Sequence, residues 1–193
     1  DFDAVLALKL RKVPYDMFYE AKNLKTVVML EAEEIADGLI FDKSYVGTFA
    51  ETAIEKLYFP MMRRVGAFAF NNCCIKSLDE ENFPALAEVG ESSFVKCSIV
   101  KLNLPFLKKI DKYGFSGCPI AQVNLPSLIS IGKNGFGGCQ LLRQFSAKRL
   151  EQAGNCCFCS CSLLSSINCD LEPDKFSCQQ CDVGNNQECE GCP

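Results

Sequence analysis

The sequence contains no histidine and no tryptophan among its 193 residues. Histidine is the commonest general base and the usual partner of a serine or cysteine nucleophile, so its absence argues against most acid–base and nucleophilic sites. We therefore expect no catalytic residues, no cofactor and no enzymatic activity. The absence of tryptophan leaves the 15 phenylalanines as the largest apolar side chains available to a core.

Long apolar runs and an excess of basic residues are also lacking. No apolar run reaches the roughly 18 residues that a membrane-spanning helix needs. The formal net charge of -4 gives no electrostatic basis for binding DNA, RNA or an anionic membrane surface. The composition is otherwise that of a folded protein, with 48% hydrophobic and 23% charged residues.

What the sequence does contain is an internal repeat with a period of 21 residues. The two clearest units together span Cys97–Cys139, with apolar residues, a proline and a phenylalanine at the same offsets in each. Weaker units extend the pattern over about residues 5–169, with extra residues at 79–82 and about nine more within 36–53, where the register stays open. A period in this range predicts a solenoid, in which each unit buries its apolar side chains against its neighbours.

Polar and apolar residues alternate at the start of each unit, where Leu102, for example, lies between Lys101 and Asn103. A period of two predicts a short strand with one buried and one exposed face, and about six or seven such strands would pair in parallel. The exposed row is the candidate binding surface for a protein or glycan ligand, although the same side chains could serve only to keep the sheet soluble. Its members are Lys56, Tyr58, Ser77, Asp79, Lys101, Asn103, Gln122 and Asn124. Tyr58 is the strongest single candidate because aromatic residues are enriched at contact hot spots.

The second half of each unit predicts a turn on the return side of the solenoid. Leu107 and Ile110 are three residues apart, which favours a helical or 3₁₀ turn and hence an α/β solenoid. Gly66, Gly90 and Gly132 follow the last apolar residue of their units, where we expect a left-handed backbone conformation.

Several consecutive units follow the pattern I-x-x-L-x-L-P-x-L-x-x-I-G-x-x-x-F-x-x-C. This pattern resembles the BspA-type leucine-rich repeat, with a period shorter than that family's usual one. The resemblance implies a leucine-rich-repeat stack over most of the chain. It also implies a non-enzymatic surface or secreted protein, because members are associated with adhesion and with binding proteins or cells in host-associated bacteria and parasitic protists.

The 14 cysteines fall into groups with different expected roles. One cysteine recurs about once per unit, and we expect a buried thiol that acts as a small apolar residue rather than a metal or disulfide ladder. These positions are Cys73, Cys97, Cys118, Cys139 and Cys161. A denser cluster lies where the stack ends, and disulfides there would brace the terminal unit. The disulfide candidates in this cluster are Cys156, Cys157, Cys159 and Cys169.

The C-terminal residues form a second, cysteine-rich segment. We assign residues 1–169 to the solenoid and residues 170–193 to this segment, which contains the disulfide candidates Cys178, Cys181, Cys189 and Cys192. Only seven residues separate its two C-x-x-C pairs, fewer than the roughly 12–20 of zinc ribbons, so the spacing favours disulfides over a four-cysteine zinc site. The segment is also similar to the C-x-x-C-rich segments of diplomonad variant-specific surface proteins.

Two functions therefore remain open from the sequence. The first is an extracellular or cell-surface binding module that forms part of a larger surface or secreted protein. The alternative is a cytoplasmic scaffold for protein–protein interaction, with zinc held by the four C-terminal cysteines. Disulfides would favour the first, and about one zinc per chain would favour the second.

Overall fold

In a computed structural model, which describes residues 3–42 and 44–172, the chain winds into seven coils followed by the first strand of an eighth. Each complete coil contains a first strand of three or four residues, a two-residue second strand and a long turn. The first strands are β1 (Ala4–Ala7), β3 (Thr26–Met29), β7 (Lys56–Tyr58), β9 (Ser77–Asp79), β11 (Lys101–Asn103), β13 (Gln122–Asn124), β15 (Gln144–Ser146) and β17 (Ser166–Asn168). The second strands are β2 (Lys12–Val13), β4 (Glu34–Ile35), β8 (Arg64–Val65), β10 (Glu88–Val89), β12 (Lys109–Ile110), β14 (Ser130–Ile131) and β16 (Gln152–Ala153).

Strands of successive coils pair in parallel and form the walls of the solenoid. The second strands make one seven-stranded sheet, whose outer side we call the return face. The first strands make a three-stranded sheet, β1-β3-β7, and a five-stranded sheet, β9-β11-β13-β15-β17. We call the outer side of these two sheets the strand face. Its ladder is interrupted between β7 and β9, next to the extra residues at 79–82, although the Phe59 N–H still donates to the Asn82 carbonyl at 2.9 Å.

The predicted leucine-rich-repeat stack is confirmed, but the helical turn on the return side is wrong. No helix occurs within the described residues, so the solenoid is built from strands and turns rather than being α/β. Leu107 closes a turn by donating its N–H to the Leu104 carbonyl at 3.1 Å. Ile110 then lies on β12, which pairs with the second strands of both neighbouring coils. The three-residue spacing therefore reflects a turn followed by a strand.

A single column of phenylalanines runs through the core of all seven described coils. Neighbouring rings stack with centroids 5.0–6.0 Å apart and planes within 16° of parallel. This separation is close to the spacing of about 4.8 Å between paired strands, so one ring per coil can stack on the next. The column comprises Phe18, Phe49, Phe70, Phe94, Phe115, Phe136 and Phe158.

A cysteine column lies beside the phenylalanines, and its expected role as buried thiols is confirmed for Cys73, Cys97, Cys118 and Cys139. Each thiol donates to the carbonyl of a phenylalanine in the preceding coil, as Cys118 Sγ does to Phe94 at 3.1 Å. Cys161, which is half-buried, makes the same bond to the preceding coil. Burial raises the pKa of the Cys118 thiol well above its ordinary value and that of Cys139 to about 12. Cys118 and Cys139 therefore stay protonated and act as hydrogen-bonding core residues.

The expected left-handed conformation of Gly66, Gly90 and Gly132 is wrong. Positive φ angles occur elsewhere in the turns, and the two described glycines that have them are Gly117 and Gly138. Gly66, Gly90 and Gly132 instead lie where the backbones of neighbouring coils approach each other closely. A Cβ on Gly132, for example, would lie 2.5 Å from the backbone nitrogen of Lys112 in the preceding coil. Glycine is required there because no side chain fits between the two backbones.

The extra residues within 36–53 form an antiparallel hairpin that interrupts the second coil. Its strands are β5 (Leu39–Phe41) and β6 (Ser44–Val46). Ile40 and Phe41 expose 61% and 69% of their surface. Phe49 then rejoins the aromatic column, which fixes the register that the sequence leaves open.

Candidate binding surface

The strand face alternates between buried and exposed residues from β11 to β15. The central residue of each strand, namely Leu102, Val123 or Phe145, is at most 5% exposed and packs into the core. The residues on either side of it point outward. The predicted period of two is therefore the physical basis of this surface.

The parallel registers align the outward residues into two columns along the solenoid. One column aligns Gln122, Gln144 and Ser166, and the other aligns Asn124, Ser146 and Asn168. Lys101 and Asn103 precede them on β11, and pair in turn with Ser77 and Asp79 on β9. Successive members of a column belong to neighbouring strands, so their side chains repeat at about 4.8 Å.

Most of the predicted row lies where it was expected. Lys56, Lys101, Asn103, Gln122 and Asn124 are exposed, Tyr58 exposes 42% of its surface, and Ser77 is half-buried. Lys56 and Tyr58 belong to the other sheet, beyond the interruption between β7 and β9. The structure therefore divides the predicted row between two sheets.

The expected exposure of Asp79 is wrong, because this residue is only 5% exposed. The extra residues that follow it turn back over its carboxylate, which accepts a hydrogen bond from the Glu81 N–H at 3.2 Å. Lys101 Nζ donates to the same carboxylate at 2.9 Å, and this bond raises the pKa of Lys101. Asp79 is thus a buried partner of Lys101 rather than part of the exposed surface.

Four further residues of the surface escaped prediction: Gln144, Ser146, Ser166 and Asn168. The first strand of the seventh coil carries phenylalanine where the best units carry leucine or valine, so the repeat blurs after Cys139. The sequence Gln144-Phe145-Ser146 nevertheless keeps the polar–apolar–polar order of β13. That order was the signal that could have found them.

The outward side chains of β11, β13, β15 and β17 line a groove of about 590 Å³. Among the described residues that line it, Lys101 is the one that carries a charge. Within residues 3–42 and 44–172, no hydrogen bond ties up the side-chain amides of Asn103, Gln122, Asn124 and Gln144. The groove therefore offers uncharged donors and acceptors to a ligand.

The sequence model of the family described as BspA type leucine rich repeat region matches residues 42–107 and 87–180, with six copies of the repeat. The chain belongs to the BspA-type leucine-rich repeat family. Members of this family are repeat modules associated with protein binding or adhesion, and are commonly found at surfaces. The structure adds two coils, β1 to β4, before the matched region. Comparison with curated proteins gave no match.

The return face of this BspA-type repeat has the opposite character, because its charges pair with one another. Its first five strands present Lys12, Glu34, Arg64, Glu88 and Lys109 in alternating sign. Arg64 lies 3.1 Å from the Glu34 carboxylate and 4.0 Å from that of Glu88. Such cross-strand pairs stabilise the register of the sheet.

Arg64 also pairs with Asp37 in the turn that follows β4. Partial burial opposes ionisation of Asp37. The N–H of Ala67 and the guanidinium of Arg64 nevertheless lower its pKa. The charges of Glu34, Asp37 and Arg64 are therefore satisfied within the chain.

The predicted metal and disulfide sites involve the cysteines at the C-terminal end of the chain. Cys178, Cys181, Cys189 and Cys192 lie outside the described residues, so both the zinc and the disulfide hypotheses for them stay predictions. In the part of the chain that the structure covers, no group of three potential metal ligands comes together. Cys156, Cys157 and Cys159 lie on the last complete coil and Cys169 directly follows β17, and their disulfides also stay predictions. No helix among the described residues is long and apolar enough to cross a membrane.

Proposed function

We propose that this BspA-type repeat is a non-enzymatic binding module of a surface or secreted protein, and that its strand face contacts a protein or glycan ligand. The observation that carries the proposal is the row of exposed amide side chains on β11, β13 and β15. They make no hydrogen bonds within the described chain, although they line a groove. An extended surface of this kind is how solenoid proteins usually bind their partners.

The contrast between the two faces supports this assignment. From β2 to β10 the return face is kept soluble by charges that pair across neighbouring strands. The groove instead presents uncharged amides for which the described residues provide no hydrogen-bond partner. A surface maintained only for solubility would not need to differ in this way.

A pair of alanine variants tests which face binds. The strand-face variant is Gln122→Ala/Gln144→Ala, and the matched return-face variant is Lys109→Ala/Gln152→Ala. All four side chains are exposed, so both variants should fold. We expect the strand-face variant to lose binding to a panel of immobilised extracellular-matrix proteins and glycans, and the return-face variant to keep it. Equal loss in both variants, or retention in both, would contradict the proposed surface.

The location of the protein needs a separate experiment. Disulfides among the cysteines from Cys156 onward would support an extracellular site, because such bonds persist in oxidising compartments. Intact mass before and after reduction counts them directly in protein from its native source. If all thiols are free there and the chain retains about one zinc, the cytoplasmic scaffold replaces the extracellular module.

A further inference from the structure

We propose that the groove over β11, β13, β15 and β17 binds an uncharged glycan chain lying along the solenoid axis. This inference rests on the proposed function and specifies the ligand. Three properties of the groove carry it: its hydrogen-bonding groups, its lack of net charge and the spacing of its side chains.

The hydrogen-bonding groups of the groove match those of a sugar. An Asn or Gln amide has two N–H donors and a carbonyl acceptor, and a serine hydroxyl both donates and accepts. Sugar hydroxyls likewise do both. Stacked amides on parallel strands can satisfy one another in a ladder. In the described chain, however, the side chains of Asn103 and Asn124 form no such bond, so they remain available.

The charge of the groove selects against an ionic ligand. In the part of the lining that the structure describes, Lys101 is the one charged side chain, and the Asp79 carboxylate neutralises it at 2.9 Å. A sulfated or uronic-acid glycan would therefore gain little attraction, and an acidic peptide would gain no more. A neutral ligand needs no charged partner, so the lack of net charge in the groove does not weaken its binding.

The spacing of the columns favours a glycan over an extended peptide. Side chains in each column repeat at about 4.8 Å, the distance between paired strands. This distance is close to the length of one sugar ring in an extended polysaccharide, so each coil can meet one ring. An extended peptide advances by about 3.3 Å per residue and alternates its side chains, so it falls out of register with the columns.

A protein ligand would be expected to use a different part of the strand face. Apolar side chains are exposed on the three-stranded sheet, with Leu6 at 68% and Tyr58 at 42%, and Leu8, just after β1, is exposed at 53%. Val28 joins Leu6 and Tyr58 in one row through the register of β1, β3 and β7. Protein interfaces centre on apolar and aromatic groups of this kind. Dependence on Leu6 and Leu8 therefore distinguishes a protein ligand from a glycan.

The test measures binding of the full chain to neutral oligomers of glucose, mannose, galactose and N-acetylglucosamine, beside sulfated and uronic-acid oligomers. We expect binding within the neutral set, with an affinity that changes little with salt because no charges pair. The variant Asn124→Asp/Gln144→Glu keeps side-chain size but replaces amide donors by charge. It should weaken binding by at least about tenfold, the factor expected for one or two lost hydrogen bonds. Gln152→Glu on the return face is the matched control and should bind as the wild type does.

Three results would overturn the glycan proposal. They are the absence of binding to every neutral oligomer, stronger binding to the acidic set, and unchanged binding by the double variant. The proposed function can survive the failure of the glycan proposal. If a protein ligand is lost in Gln122→Ala/Gln144→Ala and in Leu6→Ser/Leu8→Ser, the strand face is still the binding surface and only the glycan assignment falls. Circular dichroism of each variant confirms that the solenoid is folded.

Discussion

Substitution of Gly132 by alanine tests whether glycine is needed for the contact between coils. The new Cβ would lie 2.5 Å from Lys112 N and 2.7 Å from Asp111 C, whereas unstrained heavy atoms stay about 3.5 Å apart. Both neighbours are backbone atoms, so the coils must separate locally by about 1 Å. The Gly132 N–H bond to the Ile110 carbonyl, now 2.8 Å, would lengthen with them.

The expected loss of stability follows from these two effects. Overpacking typically costs about 1–3 kcal/mol and a weakened backbone hydrogen bond about 1 kcal/mol, so Gly132→Ala should lower the free energy of unfolding by about 2–4 kcal/mol. The matched control is Gly117→Ala, where φ is +73° and the nearest atom to a new Cβ is the flexible Lys96 Cγ at 3.4 Å. At Gly117 the only cost is that alanine disfavours the left-handed backbone conformation, which lowers the free energy of unfolding by about 1 kcal/mol.

Urea unfolding followed by circular dichroism measures both variants. With a denaturant slope of about 2 kcal/mol per M, the midpoint should fall by about 1–2 M for Gly132→Ala and by about 0.5 M for Gly117→Ala. A loss at Gly132 that is no larger than the loss at Gly117 would refute the coil-contact explanation.

Three further predictions concern the core and the return face. The rings on either side of Phe115 have centroids 5.4 and 5.6 Å from its own, so Phe115→Ala opens a gap in the column. Urea unfolding should show a free energy of unfolding that is lower by about 3–5 kcal/mol. A decrease of under about 1 kcal/mol would contradict the stacked column. Burial raises the pKa of Cys139 to about 12, above the value of about 8.5 in an unfolded chain, so its contribution is complete below pH 8.5 and is lost as the pH rises toward 12. Urea midpoints should therefore decline more gently over that range in Cys139→Ala, and identical slopes would refute the assignment. Arg64→Met should lower the free energy of unfolding by about 1 kcal/mol, because Arg64 is 32% exposed, and by less in 1 M salt, which screens its ion pairs. A decrease that salt leaves unchanged would argue against charge pairing.

The repeat was predictable because its physical causes are local. The alternation around Leu102 and Val123 follows from the period of two in a strand. The recurrence of Phe115 and Phe136 follows from the period of one coil, because each repeated residue meets its equivalent in the next coil. The second strand was not predictable from one unit. A two-residue strand such as Lys109–Ile110 has no recognisable period, and it exists only because neighbouring coils supply pairing partners.

The candidate surface was predicted only in part, for similar reasons. The outward positions of β11 and β13 follow from alternation alone, so Asn103 and Gln122 were found. The burial of Asp79 depends on how the extra residues at 79–82 fold over it, which no pattern in the sequence reveals. Likewise, the role of Gly132 depends on the distance between two coils, whereas the sequence shows only that a glycine recurs.

The central claim is that the uncharged side chains of β11, β13, β15 and β17 contact the ligand. Side-chain NH₂ signals in ¹H–¹⁵N spectra report on it directly, during titration with the neutral oligosaccharide that binds best. The predicted result is that the signals of Asn103, Gln122, Asn124, Gln144 and Asn168 shift with saturation while that of Gln152 on the return face stays in place. A shift of the Gln152 signal with the five others unmoved would contradict the account.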